Sequence, residues 1–250
     1  MRIFTSIICL LFLLACSEEK TETLNIATAA NVQFAMKELT KEFTRKTGIT
    51  CNIITGSSGK LTAQIKEGAP YDLFLSANLK YPNEIFKSGL AKTTPKVYAN
   101  GELVLWSLKL KDTIYLSQIN RGDIRHIALA NPKIAPYGMA AEEVLKYYQL
   151  YSTAKPKLVY GESISQVNQF IYSEAADIGF TSKSVVLSPT MKEKGIWMSI
   201  PQESYKPIEQ GVVIIKRNKK NEVASEKFYK FLFSKKAQEI FRLYGYKKPA

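Results

Sequence analysis

The sequence predicts an α/β protein of two lobes with a ligand cleft between them. Strand–turn–helix units follow one another along the chain, a layout typical of parallel sheets with crossover helices. Two long apolar strands, at 97–106 and 210–215, each contain a glycine where the chain could pass from one lobe to the other. The chain has 250 residues and is 46% hydrophobic, which suits one large domain or two smaller lobes.

Residues 1–15 have the pattern of a targeting segment. A basic residue precedes an apolar run at 7–14 that is too short to span a bilayer. Leu13-Leu14-Ala15-Cys16 resembles the lipobox of bacterial lipoproteins, in which the cysteine is acylated after cleavage. A plain signal peptide cleaved nearby is the alternative. We therefore predict a lipoprotein signal peptide over 1–15, lipidation at Cys16 and a polar tether over 16–23.

Cysteine usage predicts no disulfide framework. Cys9 would leave with the signal peptide and Cys16 would carry the lipid, so that Cys51 has no intramolecular partner. Cys51 opens a predicted strand, and we expect it to be a small buried hydrophobic residue.

The formal net charge of +13 is compatible with binding to nucleic acid or to an anionic membrane. The lysines are scattered along the chain and are not gathered on one helix with interleaved aromatic residues. This distribution favours a solvated basic surface beside acidic lipid headgroups. We expect no nucleic acid partner.

Two strand–turn–helix units occupy residues 24–67. The strand at 24–28 leads into a helix whose apolar residues fall on one face and which ends at Gly48. A second strand, at 49–55, leads into a helix at 61–67. Because both helices follow the carboxyl ends of parallel strands, they should begin at the edge of the sheet where open α/β sheets bind ligands.

The turn between the second strand and its helix contains Gly56, Ser57, Ser58 and Gly59. A helix start offers unpaired N–H groups and the positive end of the helix dipole, so this turn indicates an anion site. Alternatively, Ser57 or Ser58 only caps its own helix. The spacing does not match the phosphate-loop pattern, which disfavours nucleotide hydrolysis.

The remaining elements repeat the same layout in a second half. From the crossings near 100 and 211 we predict one lobe from 24–100 plus 212–250 and another from 101–211, with the cleft between them. The further predicted strands are 70–77, 97–106, 127–130, 158–160, 177–181 and 210–215, and the further helices are 82–88, 141–148, one that Ser163 caps, 223–233 and 237–243.

An ordered series of short segments runs through the chain, and the most specific is Gly-Ala-Pro-Tyr-Asp-Leu-Phe-Leu-Ser-Ala at 68–77. Together these segments resemble the periplasmic molybdate-binding proteins of ABC-type uptake systems. The other segments are Ile26–Asn31, Gly56–Leu61 with Gln64-Ile65, Asn131-Pro132 with Pro136–Gly138, Asp177–Phe180, and Ala237–Phe241 with Tyr244–Tyr246.

This resemblance implies the two-lobed periplasmic-binding-protein (type II) fold, in which each lobe is a mixed sheet flanked by helices. It implies a monomer without a cofactor that captures molybdate or tungstate and delivers it to the membrane subunits of an ABC permease. With the lipobox, it implies a lipid-anchored protein of the cell envelope, on the periplasmic or extracytoplasmic face.

The resemblance also implies which residues bind the oxyanion, and through it the metal. Asn31 stands at the first helix, where many members have Ser. Ser58 stands at the second helix, Tyr137 follows the Asn-Pro segment, and Ile164 contributes a backbone N–H. The last family contact, often Tyr, aligns with Ser182, so that Tyr137 is the candidate for the missing hydroxyl.

Two alternatives remain open: a binding protein for another oxyanion such as sulfate, phosphate or chromate, and a lipoprotein enzyme on the same fold. The only histidine, His126, has no Cys or Asp arranged with it in a motif, which leaves a nucleophilic triad or a histidine-rich metal site unsupported. A protonated phosphate would need an acceptor such as Asp72, for which we expect a structural role. We expect no enzymatic activity.

Overall fold

Two five-stranded sheets flanked by helices make up the computed structural model, which describes residues 22–217 and 221–249. The signal peptide, the lipidation site at Cys16 and all but the end of the tether lie outside the described residues. This arrangement confirms the predicted fold class of two mixed sheets with helices on their faces.

The first sheet has the strand order β2-β1-β3-β10-β4. Its first three strands are parallel, and β10 runs antiparallel to both β3 and β4. The strands are β1 (Thr23–Ala29), β2 (Thr50–Gly56), β3 (Leu73–Ser76), β4 (Lys96–Gly101) and β10 (Ile208–Ile214).

The second sheet has the order β7-β6-β8-β5-β9. Here β6 is parallel to β7 and β8, whereas β5 is antiparallel to β8 and β9. The strands are β5 (Leu103–Ser107), β6 (Ile127–Ala130), β7 (Leu158–Gly161), β8 (Ile178–Ser182) and β9 (Ile196–Ser199).

Nine α-helices connect and cover the strands of the described segments. The first ends at Gly48, whose φ of 72° is left-handed and therefore suits glycine. The helices are α1 (Gln33–Thr47), α2 (Ser58–Lys66), α3 (Lys80–Lys87), α4 (Pro136–Tyr147), α5 (Tyr151–Ala154), α6 (Ile164–Tyr172), α7 (Lys183–Val186), α8 (Glu222–Leu232) and α9 (Lys235–Leu243).

The chain passes between the sheets at the predicted Asn-Gly break. β4 ends at Gly101 in the first sheet and β5 begins at Leu103 in the second. The return differs from the expected position at 211, because β10 belongs to the first sheet from residue 208 onward. We therefore propose lobe boundaries near 102 and within 200–207, in place of those at 101 and 212.

Several short elements escape the sequence patterns. β9 has four residues, is half-buried and pairs only with β5 at the sheet edge, so its apolar pattern is too short to identify a strand. The helices α5 and α7 have four residues each. The predicted tether extends one residue too far, because Thr23 already belongs to β1.

The tail helices α8 and α9 return to the first lobe. The ring of Phe228 on α8 lies 4.9 Å from that of Phe43 on α1, in an edge-on contact. Beyond α9, the backbone of Lys247 pairs with that of Asn100 beside β4, and this pairing brings the buried Tyr246 to the junction of the two sheets. Within the described ranges, no helix has the length and apolar content needed to cross a membrane.

Asp72 ties together three segments at the start of β3. Its side chain is buried, and Oδ2 accepts hydrogen bonds from the Asn25 backbone N–H at 2.7 Å and from Asn221 Nδ2 at 3.2 Å. The Arg217 guanidinium lies 3.6 Å from Oδ1. These contacts give Asp72 a role in joining β1, β3 and the start of α8.

We expect Asp72→Asn to lower the free energy of unfolding by about 1–3 kcal/mol, because a neutral amide replaces a buried charged acceptor. Urea denaturation measures this difference. The exposed Asp112 supplies the matched control, and Asp112→Asn should change stability by less than about 0.5 kcal/mol. Equal stability of the two variants would contradict the role of Asp72.

Candidate functional site

A small cavity of about 10 Å³ lies between the two sheets. The first lobe lines it with Ala29–Asn31, Gly56–Ser58 and Ala77, and the second with Ala135–Tyr137 and Ile164. The space is small, and both lobes contribute to its lining. It brings together Asn31, Ser58, Tyr137 and Ile164, four of the five residues predicted to bind a ligand.

Helix starts surround this cavity. α2 begins at Ser58, α4 at Pro136 and α6 at Ile164, and a 3₁₀ turn spans 30–32 before α1. Each start follows the carboxyl end of a strand, because parallel strands place their following helices at the same edge of a sheet. The unpaired N–H groups and dipoles of these starts favour an anion in the cavity.

The two serines of the Gly-Ser turn have different roles. Ser57 is the N-cap of α2, and its side chain accepts a hydrogen bond from the Lys60 backbone N–H at 3.3 Å. Ser58 Oγ instead accepts from the Ala77 backbone N–H at 3.0 Å. Because a hydroxyl has one proton and Ser58 uses only its acceptor capacity here, that proton is available to a ligand.

Tyr137 presents a second hydroxyl. Its side chain is fully buried, and the hydroxyl accepts a hydrogen bond from Ser182 Oγ at 3.1 Å. Burial, with the nearby Tyr246 hydroxyl, raises the pKa of Tyr137 well above its usual value, so the group keeps its proton. No described residue accepts that proton, which leaves it for a ligand.

Ser182 is not among the residues that line the cavity. It is the N-cap of α7, and its side chain accepts a hydrogen bond from the Ser184 backbone N–H at 3.3 Å. Its hydroxyl donates a hydrogen bond to the Tyr137 hydroxyl. The structure therefore places Ser182 one hydrogen bond away from the cavity, where it orients the tyrosine hydroxyl.

Asn31 is held by residues that the sequence patterns did not single out as site residues. Its Nδ2 donates to Gln210 Oε1 at 2.9 Å and to the Tyr246 hydroxyl at 3.0 Å. Its backbone carbonyl accepts from Ser184 Oγ and from the Tyr246 hydroxyl. The sequence signal for Gln210 is a polar residue at the start of the predicted apolar strand at 210–215. Tyr246 belongs to the tail segment that contributes to the family resemblance, without a stated role.

Ile164 is the first residue of α6, and its backbone N–H therefore has no partner within the helix. The residue is buried, with 4% of its surface exposed. Ser163 occupies the N-cap position, but its side chain makes no capping hydrogen bond. The predicted N-cap position of Ser163 is therefore confirmed, but a capping hydrogen bond from its side chain is not formed. As a result, no N-cap side chain competes with a ligand for the first N–H groups of α6.

Direct contacts close the two lobes around the cavity. The Gly59 backbone N–H donates to the Ile134 carbonyl at 2.9 Å, and the Tyr81 hydroxyl donates to the Lys133 carbonyl at 3.4 Å. Lys60 Nζ lies 3.0 Å from Glu162 Oε2 at the surface. With these contacts formed between the two lobes, the cleft is closed.

The cavity lining carries no charged side chain. Asp72 precedes β3 and Cys51 lies near the start of β2, so both are at the strand ends away from the cavity. His126 directly precedes β6. Burial raises the pKa of the Cys51 thiol to about 12, the reverse of an activated thiol. Among the described residues, no group of three or more His, Cys, Asp or Glu side chains is arranged to hold a metal ion.

Comparisons with known proteins agree with this architecture. The family model for bacterial extracellular solute-binding proteins matches residues 24–247. The molybdate-binding protein ModA of Rhodobacter capsulatus is 40% identical over 88% of this chain and 86% of its own length. ModA of Azotobacter vinelandii is 35% identical over 94% of this chain and 93% of its own length.

The solved structure of the Azotobacter vinelandii periplasmic molybdate-binding protein superimposes with a TM-score of 0.85 and 34% identity, covering 91% of this chain and all of that one. Sequence and structure therefore agree over nearly the whole described chain. The protein belongs to the family of bacterial extracellular solute-binding proteins, within the group that contains these molybdate-binding relatives.

Proposed function

We propose that the protein captures molybdate or tungstate in the cavity between its lobes and delivers the oxyanion to the membrane subunits of an ABC permease. The observation that carries this proposal is the neutral lining, in which helix starts and hydroxyl groups converge without a charged side chain. A fully ionised oxyanion only accepts hydrogen bonds, so donors alone can satisfy it. The molybdate-binding names of the relatives support the same ligand.

The proposed donors are Ser58 Oγ–H, the Tyr137 hydroxyl, the Ile164 backbone N–H and the side chain of Asn31. Ser182 acts through the Tyr137 hydroxyl. Each charge-assisted hydrogen bond contributes about 1.5–3 kcal/mol net. Four such bonds, with help from the helix dipoles, approach the roughly 12 kcal/mol that nanomolar binding requires.

Selectivity follows from the same lining. A protonated phosphate needs at least one acceptor, but the cavity lining contains no carboxylate, and the buried Asp72 lies at the far end of β3. Sulfate is a pure acceptor like molybdate, so only its smaller size can exclude it. With the lobes closed around a larger tetrahedron, sulfate would leave several donors too far away, and each lost bond costs about 1–3 kcal/mol.

Calorimetric titration with molybdate, tungstate, sulfate, phosphate and chromate tests this proposal. We expect sulfate and phosphate to bind at least about a hundredfold more weakly than molybdate. Molybdate affinity should stay constant between about pH 6 and 8, because the pKa of Tyr137 is raised well above its usual value and that of Tyr246 to about 12, so both hydroxyls keep their protons. Sulfate or phosphate binding within about tenfold of molybdate would contradict the assignment.

Gly59 allows the close approach of the two lobes. A Cβ atom at this position would lie 2.9 Å from Ile134 Cβ and 3.0 Å from its carbonyl oxygen. We expect Gly59→Ala to weaken molybdate binding by about tenfold or more, while the free energy of unfolding without ligand stays equal or rises, because alanine favours the helix α2. Calorimetry and urea denaturation separate these two effects.

The matched control is Gly122→Ala, since a Cβ atom at Gly122 meets no atom within 4 Å. This variant should bind molybdate like the wild type. Wild-type affinity in Gly59→Ala would show that closure does not depend on this contact.

We further propose a monomer of the cell envelope, on the extracytoplasmic face, anchored through lipid on Cys16 after removal of residues 1–15. The net charge of +13 would keep a basic surface beside acidic headgroups. Cys16→Ala should move the protein from the detergent phase to the aqueous phase, or leave it uncleaved, whereas Cys51→Ala should not. Unchanged partitioning of Cys16→Ala would refute the anchor.

A further inference from the structure

Gln210 is a buried polar residue with an incomplete set of partners. Its side chain is 0% exposed, and Oε1 accepts hydrogen bonds from Asn31 Nδ2 at 2.9 Å and from the Tyr98 hydroxyl at 3.4 Å. Its Nε2 has no partner among the described residues. A buried donor without an acceptor costs about 1–3 kcal/mol, and native structures contain few of them.

The same arrangement is unfavourable for Asn31 as a ligand donor. Both hydrogens of Asn31 Nδ2 are taken, one by Gln210 Oε1 and one by the Tyr246 hydroxyl. No described residue donates to Asn31 Oδ1. In this orientation the side chain of Asn31 therefore has only an acceptor to offer to the cavity that the residue lines, and an ionised oxyanion has no proton to donate to it.

A joint half-turn of the two amide groups pairs the N–H groups of Gln210 and frees a proton of Asn31. Asn31 Oδ1 then takes the place of Nδ2, and Gln210 Nε2 takes the place of Oε1. Gln210 Nε2 donates to Asn31 Oδ1 and to the Tyr98 hydroxyl, while a proton on Asn31 Nδ2 becomes free for the oxyanion. The two ends of an amide have nearly the same size and shape, so the exchange needs little repacking.

The neighbouring hydroxyl groups can redirect their hydrogen bonds to match this exchange. The Tyr246 proton, now shared with the Asn31 carbonyl at 3.0 Å, can turn to Asn31 Oδ1. The Asn31 carbonyl keeps a donor, because Ser184 Oγ also donates to it. The Tyr98 hydroxyl, which donates to Gln210 Oε1 before the exchange, accepts from Gln210 Nε2 after it, so that the Tyr98 proton loses its acceptor.

The position of the unpaired atom also improves. A Cβ atom on Gly101 would lie 2.7 Å from Gln210 Nε2 and 2.1 Å from the Tyr137 hydroxyl oxygen, so both polar groups converge on this glycine. After the exchange, a carbonyl oxygen of Gln210 occupies that position beside a hydroxyl. An under-satisfied carbonyl is tolerated more often than an orphaned N–H group.

We propose that Gln210 is a positioning residue of the oxyanion site, whose side-chain amide sets the rotation of the Asn31 amide so that Asn31 donates to an ionised ligand. This inference rests on the proposed function, because it requires an oxyanion in the cavity. Packing alone does not require an amide group at position 210, whereas this positioning role does.

A double-mutant cycle with molybdate at pH 8 tests the inference. Gln210→Glu replaces the amide N–H groups with a carboxyl oxygen, and in its ionised form this group can only accept, which holds Asn31 Nδ2 away from the ligand. Gln210→Met keeps a similar volume and removes both hydrogen-bonding atoms without adding charge. We expect the molybdate affinity to fall by about a hundredfold for Gln210→Glu and about tenfold for Gln210→Met.

The second background is Asn31→Ser, because a serine hydroxyl rotates freely and donates without help from Gln210. In this background we expect Gln210→Met to change affinity by less than about threefold and Gln210→Glu by about tenfold or less, the remainder reflecting charge repulsion. Thermal unfolding without ligand shows whether each variant is folded. If Gln210→Glu does not fold, the Gln210→Met cycle alone decides.

The outcomes separate the two proposals. If neither the wild type nor Asn31→Ser binds any oxyanion, the proposed function fails, and this inference fails with it. If the wild type binds molybdate and the Gln210 substitutions weaken both backgrounds by the same factor, or weaken neither, the oxyanion function stands and the positioning role of Gln210 is overturned.

Discussion

The structure depends on the convergence of helix starts at the facing edges of two sheets. β1 and β2 end at Ala29 and Gly56, and β6 and β7 end at Ala130 and Gly161, each ahead of a helix start or a short turn into one. Because these strands are parallel within each sheet, their following helices begin at one edge. Unpaired N–H groups from both lobes therefore surround one small space, where they provide positive potential without a buried cation.

Hydroxyl groups complete this arrangement because each can donate one hydrogen bond and still accept others. Ser182 donates to Tyr137, while Ser184 and Tyr246 donate to the Asn31 carbonyl. Burial raises the pKa of Tyr137 and Tyr246, so the order of donors persists over the physiological pH range. The order also joins the lobes, since Tyr246 belongs to the tail of the first lobe and Ser184 to the second.

Closure of the lobes relies on backbone approach more than on charge. The Lys60–Glu162 pair crosses the cleft at 3.0 Å, but the two side chains are 50% and 44% exposed, and such pairs contribute about 0–1 kcal/mol. The Gly59–Ile134 backbone hydrogen bond lies beside the cavity and leaves no room for a Cβ atom. The proposed selectivity for size follows from this rigid contact.

The sequence patterns left Tyr137 in a loop before the helix predicted at 141–148, whereas α4 begins at Pro136. By itself, the sequence did determine the strand–turn–helix units, the crossing at Asn100-Gly101 and the placement of Asn31, Ser58 and Ile164 beside helix starts. These features depend on local apolar periodicity and on small turn residues, and both can be read within one short segment of the sequence. Family resemblance added the expectation that these starts face one cleft. The return crossing and the edge strand β9 were not recoverable in this way, because their signals are short or interrupted.

Only the tertiary structure decided which groups hold these residues in place. Ser57 is the cap and Ser58 the free donor because the Ala77 N–H, just beyond the end of β3, meets Ser58 and not Ser57. Gln210 and Tyr246 contact Asn31 from 179 and 215 residues away along the chain. No local spacing encodes contacts of that separation, because they exist only after the strand β10 and the tail have packed against the first lobe.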